Sequence, residues 1–162
     1  VLEGAKKYKV DIVVKITGDC PIIDPNIVEQ CIRIFEKNSI DFLSNGHFRS
    51  YPDGMDVAVF TYEALEKSFS LTNDKLDLEH VTLHMRNNPE IFRSIYLVAP
   101  PNLHWPELGL TLDEIGDYEL IKKIIEHFGK DCIFSCEKVI NYLKKEPDLL
   151  SLNEYVDRKG DN

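Results

Sequence analysis

Several scarcities narrow the reading of this sequence before any motif is considered. No apolar run approaches the length that crosses a bilayer, so no membrane-spanning helix is expected. Basic residues are outnumbered: 19 Lys and Arg stand against 28 Asp and Glu, a formal net charge of −9. A nucleic-acid surface needs a basic patch, so no nucleic-acid partner is expected. A nucleotide substrate stays compatible with that charge, because metal ions offset carboxylates and phosphates together. Cysteine is sparse, at Cys20, Cys31, Cys132 and Cys136. Their spacings match no zinc template; Cys132-x-x-x-Cys136 alone is a weak signal. A reduced, cytoplasmic setting is the simplest expectation. His47, His84, His104 and His127 show no ligand spacing, and His80 with His84 lacks the Glu of a zinc-protease helix. No repeat or low-complexity stretch is present. The first residues lack the apolar core of a secretory signal. They also lack an initiating Met, and the chain is read as a piece whose start is absent.

What remains is an ordinary globular composition, 43% hydrophobic and 29% charged over 162 residues, enough for one domain with a sizeable core. Val10–Ile16 is β-branched and almost continuously apolar, which suits a buried parallel strand covered on both faces. Asp24-Pro25 opens a helix, Asp as its cap and Pro at its first position, with Ile27, Cys31, Ile34 and Phe35 on one face. Ile40–Leu43 reads as a short strand, Asn45–Pro52 as a loop, Asp53-Gly54 as a turn and Met55–Phe60 as an alternating strand. Thr61 caps a short helix, and a further helix is expected from about Leu76 to Asn87, stopped before Pro89. Phe92–Val98 and Leu108–Leu112 read as strands. Leu120, Ile121, Ile124, Ile125 and Phe128 make a helix face that Gly129 ends. Ser135 caps the next helix, and the tail from Pro147 is expected to be loosely held. Strands alternating with helices indicate one α/β domain over residues 1–162. Its middle, about 45–100, interrupts the alternation and is read as an insertion or dimerisation arm.

Two aspartates carry the chemistry. Asp19 follows the first strand, and ligands of open α/β sheets sit at the carboxyl ends of strands. Asp113 bears the same relation to Leu108–Leu112. Two such carboxylates can share magnesium, a hard cation that takes one or two carboxylates plus phosphate oxygens. The plainer reading is that each Asp caps the helix that follows, and spacing alone leaves both readings open.

Four segments then resemble one family. Val14-Lys15-Ile16-Thr17-Gly18-Asp19-Cys20-Pro21-Ile22-Ile23-Asp24-Pro25 is similar to the strand and loop of cytidylyltransferases of the spore-coat polysaccharide biosynthesis type. These are relatives of the acylneuraminate and 3-deoxy-manno-octulosonate cytidylyltransferases. Tyr51–Phe60, Glu79-His80-Val81-Thr82 with Asn88-Pro89-Glu90, and Leu110-Thr111-Leu112-Asp113-Glu114 with Asp117-x-Glu119-Leu120-Ile121 match further family segments in order. The resemblance implies a Rossmann-like nucleotide-diphospho-sugar transferase fold, a mostly parallel sheet flanked by helices, truncated at the N-terminus. It implies that Asp19 and Asp113 hold a catalytic Mg2+, and that the complete protein joins CTP to a sugar acid, forming a CMP-sugar and pyrophosphate for surface polysaccharide or glycan biosynthesis. A homodimer is also expected.

The family's Gly-rich loop bearing Arg and Lys, which cradles the triphosphate, is not in this sequence. By itself the chain is therefore expected to be inactive. Gly109, Ala58 and Leu83 depart from residues common in the family. The resemblance places Arg49, Tyr51, Asp56, Glu79 and His80 at the sugar end of the cleft; Gly18, in the loop, is a further substrate-binding candidate, and so is Lys15, whose place on the strand near Asp19 would let it meet phosphate. Each has a plainer reading. Arg49 serves as a solvated charge, Tyr51 as core cover, Asp56 as an edge-strand charge, Glu79-His80 as a helix-surface pair and Lys15 as a snorkelling side chain. Two rival functions stand beside the transferase. A metal-dependent glycosyltransferase of related fold is disfavoured because no Asp-x-Asp triplet occurs. A non-catalytic dimerisation module would have no need of both Asp19 and Asp113.

Overall fold

The structure is a computed structural model and describes residues 1–129 and 133–158. Cys132 lies outside the described residues. The chain divides into two compact units, the first of residues 1–16, 28–48 and 57–97, the second of 17–27, 49–56 and 98–162.

The first unit contains a four-stranded sheet in the order β1-β3-β2-β4, from β1 (Ile12–Lys15), β2 (Phe42–Ser44), β3 (Ala58–Thr61) and β4 (Ser94–Tyr96). It also contains helices α1 (Leu2–Tyr8), α3 (Tyr62–Leu71), α4 (Lys75–Glu79) and α5 (Leu83–Asn87), and α2 (Pro25–Glu36) from Val28 onward. The α/β expectation holds, and three of the four strands, β1, β2 and β4, run in one direction. β3 runs antiparallel to both β1 and β2, and the parallel pair is β2 with β4. The connections explain this. No helix separates β2 from β3, and a strand that returns without a crossover pairs antiparallel. Between β2 and β4 lie β3 and three helices, long enough for the crossover that a parallel pair needs. Strands β3 and β4 both come from the middle segment, about 45–100.

The reading of Val10–Ile16 as a parallel strand covered on both faces is corrected. Among the described residues β1 pairs with β3 alone, and Ile12, Val14 and Ile16 are 37–40% exposed. β-Branched residues set strand propensity, whereas coverage depends on neighbours. β3 does not alternate as expected: Ala58, Val59 and Phe60 are all buried. Phe60 joins Phe42, Ala64, Leu65, Met85 and Phe92 in the core of this unit. Thr61 caps α3 as expected, its Oγ1 accepting from the Ala64 N–H at 3.0 Å. The helix expected over 76–87 is instead two. His80 leaves helical geometry (φ −92°, ψ 75°) just ahead of β-branched Val81 and Thr82.

The second unit contains α6 (Ile115–Phe128), α7 (Cys136–Lys145) and a 3-10 helix, Pro147–Leu152. Asp24 does more than cap α2. Its Oδ1 accepts from the Asn26 N–H at 2.9 Å and its Oδ2 from the Cys136 N–H at 2.7 Å, so one buried carboxylate holds the starts of α2 and α7. Ser135 caps α7 as expected, and Gly129 ends α6 at φ 92°, where a side chain would be strained. Leu108–Leu112 is not a ladder strand. It makes a single parallel bridge, Gly109 with Asp53. The described part of the tail, 147–158, is not loose either: Asn153 is buried, and the segment before it is helical. No helix among the described residues is long and apolar enough to cross a membrane.

Candidate active site

Asp19 sits in a tight turn after β1. The Cys20 N–H reaches the Thr17 carbonyl at 3.4 Å, and the Thr17 Oγ1 and Cys20 Sγ lie 3.1 Å apart. The Cys20 thiol donates to Asp19 Oδ1 at 3.7 Å. Burial pushes that thiol up to about 11; a hydrogen bond with Thr17 opposes the rise, and the charges of Asp19 and Asp56 add to it. Cys20 is therefore a neutral thiol at physiological pH, a support for Asp19 and not a nucleophile.

Asp113 is brought to Asp19 by the backbone. The Leu112 N–H donates to the Asp19 carbonyl at 2.8 Å, so the residue before Asp113 is tied to Asp19 itself. Two residues earlier the Leu110 N–H donates to the Asp53 carbonyl at 2.8 Å, and the Asp53 N–H to the Leu108 carbonyl at 2.9 Å. A Cβ on Gly54, at φ 97°, would lie 2.7 Å from the Leu110 carbonyl, so only glycine lets this turn approach so closely. The extended segment that delivers Asp113 thus runs along the Asp53-Gly54 turn and then along the Asp19 turn. The expected strand is replaced by these specific tethers, which serve the same end.

Of the sugar-side candidates, Arg49 pairs with Asp53 at 3.3 Å, with Arg49 partly exposed. Gly18 is open, with nothing near its Cβ position. Tyr51 is 4% exposed, so its ring packs beneath the loop and offers no open face for stacking. Lys15, Glu79 and His80 belong to the first unit. Lys15 is half-buried opposite Ala58; exposed Glu79 is the last residue of α4 and His80 its cap.

The donor chemistry fits magnesium. Among the described residues neither Asp19 nor Asp113 is engaged in an ion pair. No group of three or more His, Cys, Asp or Glu gathers there to build an all-protein cage. Two hard carboxylates with space for water and phosphate oxygens is how magnesium binds.

Sequence reasoning missed a buried group behind Asp113. Asp117 is fully buried, and its Oδ2 accepts from the N–H groups of Asp113 at 3.2 Å and Glu114 at 3.0 Å. Its Oδ1 takes 2.8 Å bonds from Asn153 Nδ2 and Arg158 Nη2. Burial pushes the Asp117 pKa up, but the bonds from Arg158, Asn153 and Glu114 outweigh it and the net direction is down. The Glu114-x-x-Asp117 spacing is a capping-box signal and was legible. Nothing local announced Asn153 or Arg158.

An α/β chain with two aspartate-bearing turns tethered by a backbone bond has the outline of a nucleotidyltransferase. The sequence profile of the cytidylyltransferase family matches residues 1–156, and the chain belongs to that family. It is 32% identical over 157 residues to the uncharacterized protein MJ1063 of Methanocaldococcus jannaschii, covering 97% of this chain and 63% of that protein. It is 27% identical over 163 residues to the spore coat polysaccharide biosynthesis protein SpsF of Bacillus subtilis, covering 95% and 62%. Among solved structures it is similar to a cytidylyltransferase from Leptospira borgpetersenii serovar Hardjo-bovis. There the TM-score is 0.88 and the identity 34%, with 97% of this chain and 65% of that one covered. The chain therefore spans less than two thirds of the length of these relatives.

Proposed function

We propose that this chain is the greater part of one α/β catalytic domain that transfers CMP from CTP to a sugar acid, releasing pyrophosphate. The observation that carries the reading is the 2.8 Å bond from the Leu112 N–H to the Asp19 carbonyl, which sets the two carboxylate-bearing turns side by side. Asp19 and Asp113 would hold Mg2+. When bound, the ion would offset negative charge on the triphosphate as a hydroxyl attacks the α-phosphorus. The chain's own part is to hold both carboxylates in place, Asp19 by the Thr17–Cys20 turn and Asp113 by the tethers at Leu112 and Asp117. Gly18 leaves room beside Asp19 for a ligand. Arg49 and Asp56 face the sugar in this reading, and buried Tyr51 supports the loop that carries Arg49. A cytoplasmic homodimer acting in surface polysaccharide synthesis is the setting we propose, supported by the family and by the name of the B. subtilis relative.

The test is a chimera that joins this chain to the part of the Leptospira cytidylyltransferase that the match leaves uncovered. Pyrophosphate release would be followed with CTP, UTP and GTP against a panel of sugar acids. CTP turnover is expected with one or a few of them, and Asp19→Asn and Asp113→Asn are each expected to abolish it. Turnover unchanged in both variants would remove the carboxylate pair from the reaction.

A further inference from the structure

The segment 109–114 is held from two sides. On one side Asp53 and Asp19 take the N–H groups of Leu110 and Leu112. On the other, the intervening positions meet the C-terminal segment. Asn153 Nδ2 donates to the Gly109 carbonyl at 3.0 Å, Arg158 Nη1 to Thr111 Oγ1 at 3.3 Å, and Asp113 itself donates its N–H to Asp117. Because Asp117 takes Asn153 and Arg158 on its other oxygen, a single buried carboxylate links the C-terminal segment to the backbone of Asp113. Gly109 belongs to the same arrangement. A Cβ there would overlap the Arg158 guanidinium, so the missing side chain is the space the guanidinium occupies. The residue that departs from the family at 109 is thus matched by an arginine arriving from the tail.

We propose that Arg158, acting through Asp117 and Thr111, is a positioning residue that sets the orientation of the Asp113 carboxylate for a divalent cation. This rests on the assignment of Asp113 as a metal ligand. The physical basis is the fork of the guanidinium. Two nitrogens bond two different groups, Asp117 and Thr111, which fixes both ends of the turn at once. Groups that orient a metal's ligands affect affinity without touching the ion.

The experiment is a Mn2+ titration of the full 162-residue chain, followed by the electron-spin signal of the free ion, with thermal melting in parallel. The parent chain is expected to bind Mn2+ and Asp113→Asn to lose it. Arg158→Ala is expected to weaken binding by about tenfold, the lower end for residues that orient metal ligands. Arg158→Lys should fall between Arg158→Ala and the parent, because it keeps the charge and loses the fork. Arg33→Ala, in an exposed pair with Glu29, is the unchanged control. If Arg158→Ala lowers the melting temperature yet binds Mn2+ like the parent, the network only stabilises and the proposal is overturned. If Arg158→Ala does not fold, Arg158→Lys and Thr111→Val decide: weaker binding in both sustains the proposal, and parent-like affinity in both overturns it. A parent chain that binds no Mn2+, or an Asp113→Asn chain that binds it like the parent, instead overturns the metal assignment, a result distinct from the failure of Arg158 alone.

Discussion

Both units of this chain bury apolar side chains, but they differ in what positions their loops. The first is a sheet with an apolar core, where Phe42, Phe60, Met85 and Phe92 are at most 1% exposed. In the second, the segments around the carboxylate pair carry little ladder structure. They are positioned by side-chain carboxylates and amides that bond backbone: Asp24 to Cys136, Asp117 to Asp113 and Glu114, Asn153 to Gly109. The contrast teaches that burial sets where strands lie, but a loop that must present a charge needs directional bonds. Apolar contacts do not specify the orientation of a backbone, whereas an N–H aimed at a carboxylate does.

Substitutions can break or sharpen that contrast. The largest loss is expected for Phe60→Ala in the first unit, about 3–5 kcal/mol, read from the urea midpoint. Next is Asp117→Ala, about 3 kcal/mol, because it orphans two N–H groups and the Arg158 guanidinium. The sign of its pH dependence follows from its pKa, which lies below the ordinary 3.8. The folded state binds the Asp117 proton less readily than the unfolded chain, so the stabilisation is complete well above 3.8 and disappears as pH falls through the lower folded value. Melting of the parent and of Asp117→Ala should therefore converge in acid below about pH 4. Asp24→Ala should cost about 2 kcal/mol, for one lost cap and the buried N–H of Cys136. Smallest is Arg33→Ala, within about 0.5 kcal/mol, since the pair with Glu29 is exposed on both sides. Should Asp24→Ala or Asp117→Ala prove silent in melting, the loops of the second unit would be held by its apolar packing alone and the contrast would collapse.

Much of this was legible in the sequence because its signals are local. The caps at Asp24, Thr61 and Ser135 and the stop at Gly129 each depend on a few consecutive residues, and each appears where expected. The family was legible because four short motifs occur in order. Strand environment was less so. β1 has the composition of a covered strand and lies at an edge of the sheet, and Leu108–Leu112 has the composition of a strand but makes one bridge. Asp19 and Asp113 could be named from the sequence, while the bond that joins their turns spans 93 residues of chain (Asp19 to Leu112) and no local pattern encodes it.

Sequence alone gave apolar periodicity for the helices and capping chemistry for their ends, and it nominated two aspartates in family motifs. Only the folded chain decided that β3 runs between β1 and β2 and that Asp117 is buried behind Asp113. It also decided that the gap at Gly109 is filled by Arg158. The physical reason is range. Capping and periodicity act within a turn or two of helix. Strand order and the partner of a buried charge depend on which distant segments pack together, and a buried carboxylate such as Asp117 is tolerable only once those segments have supplied its donors.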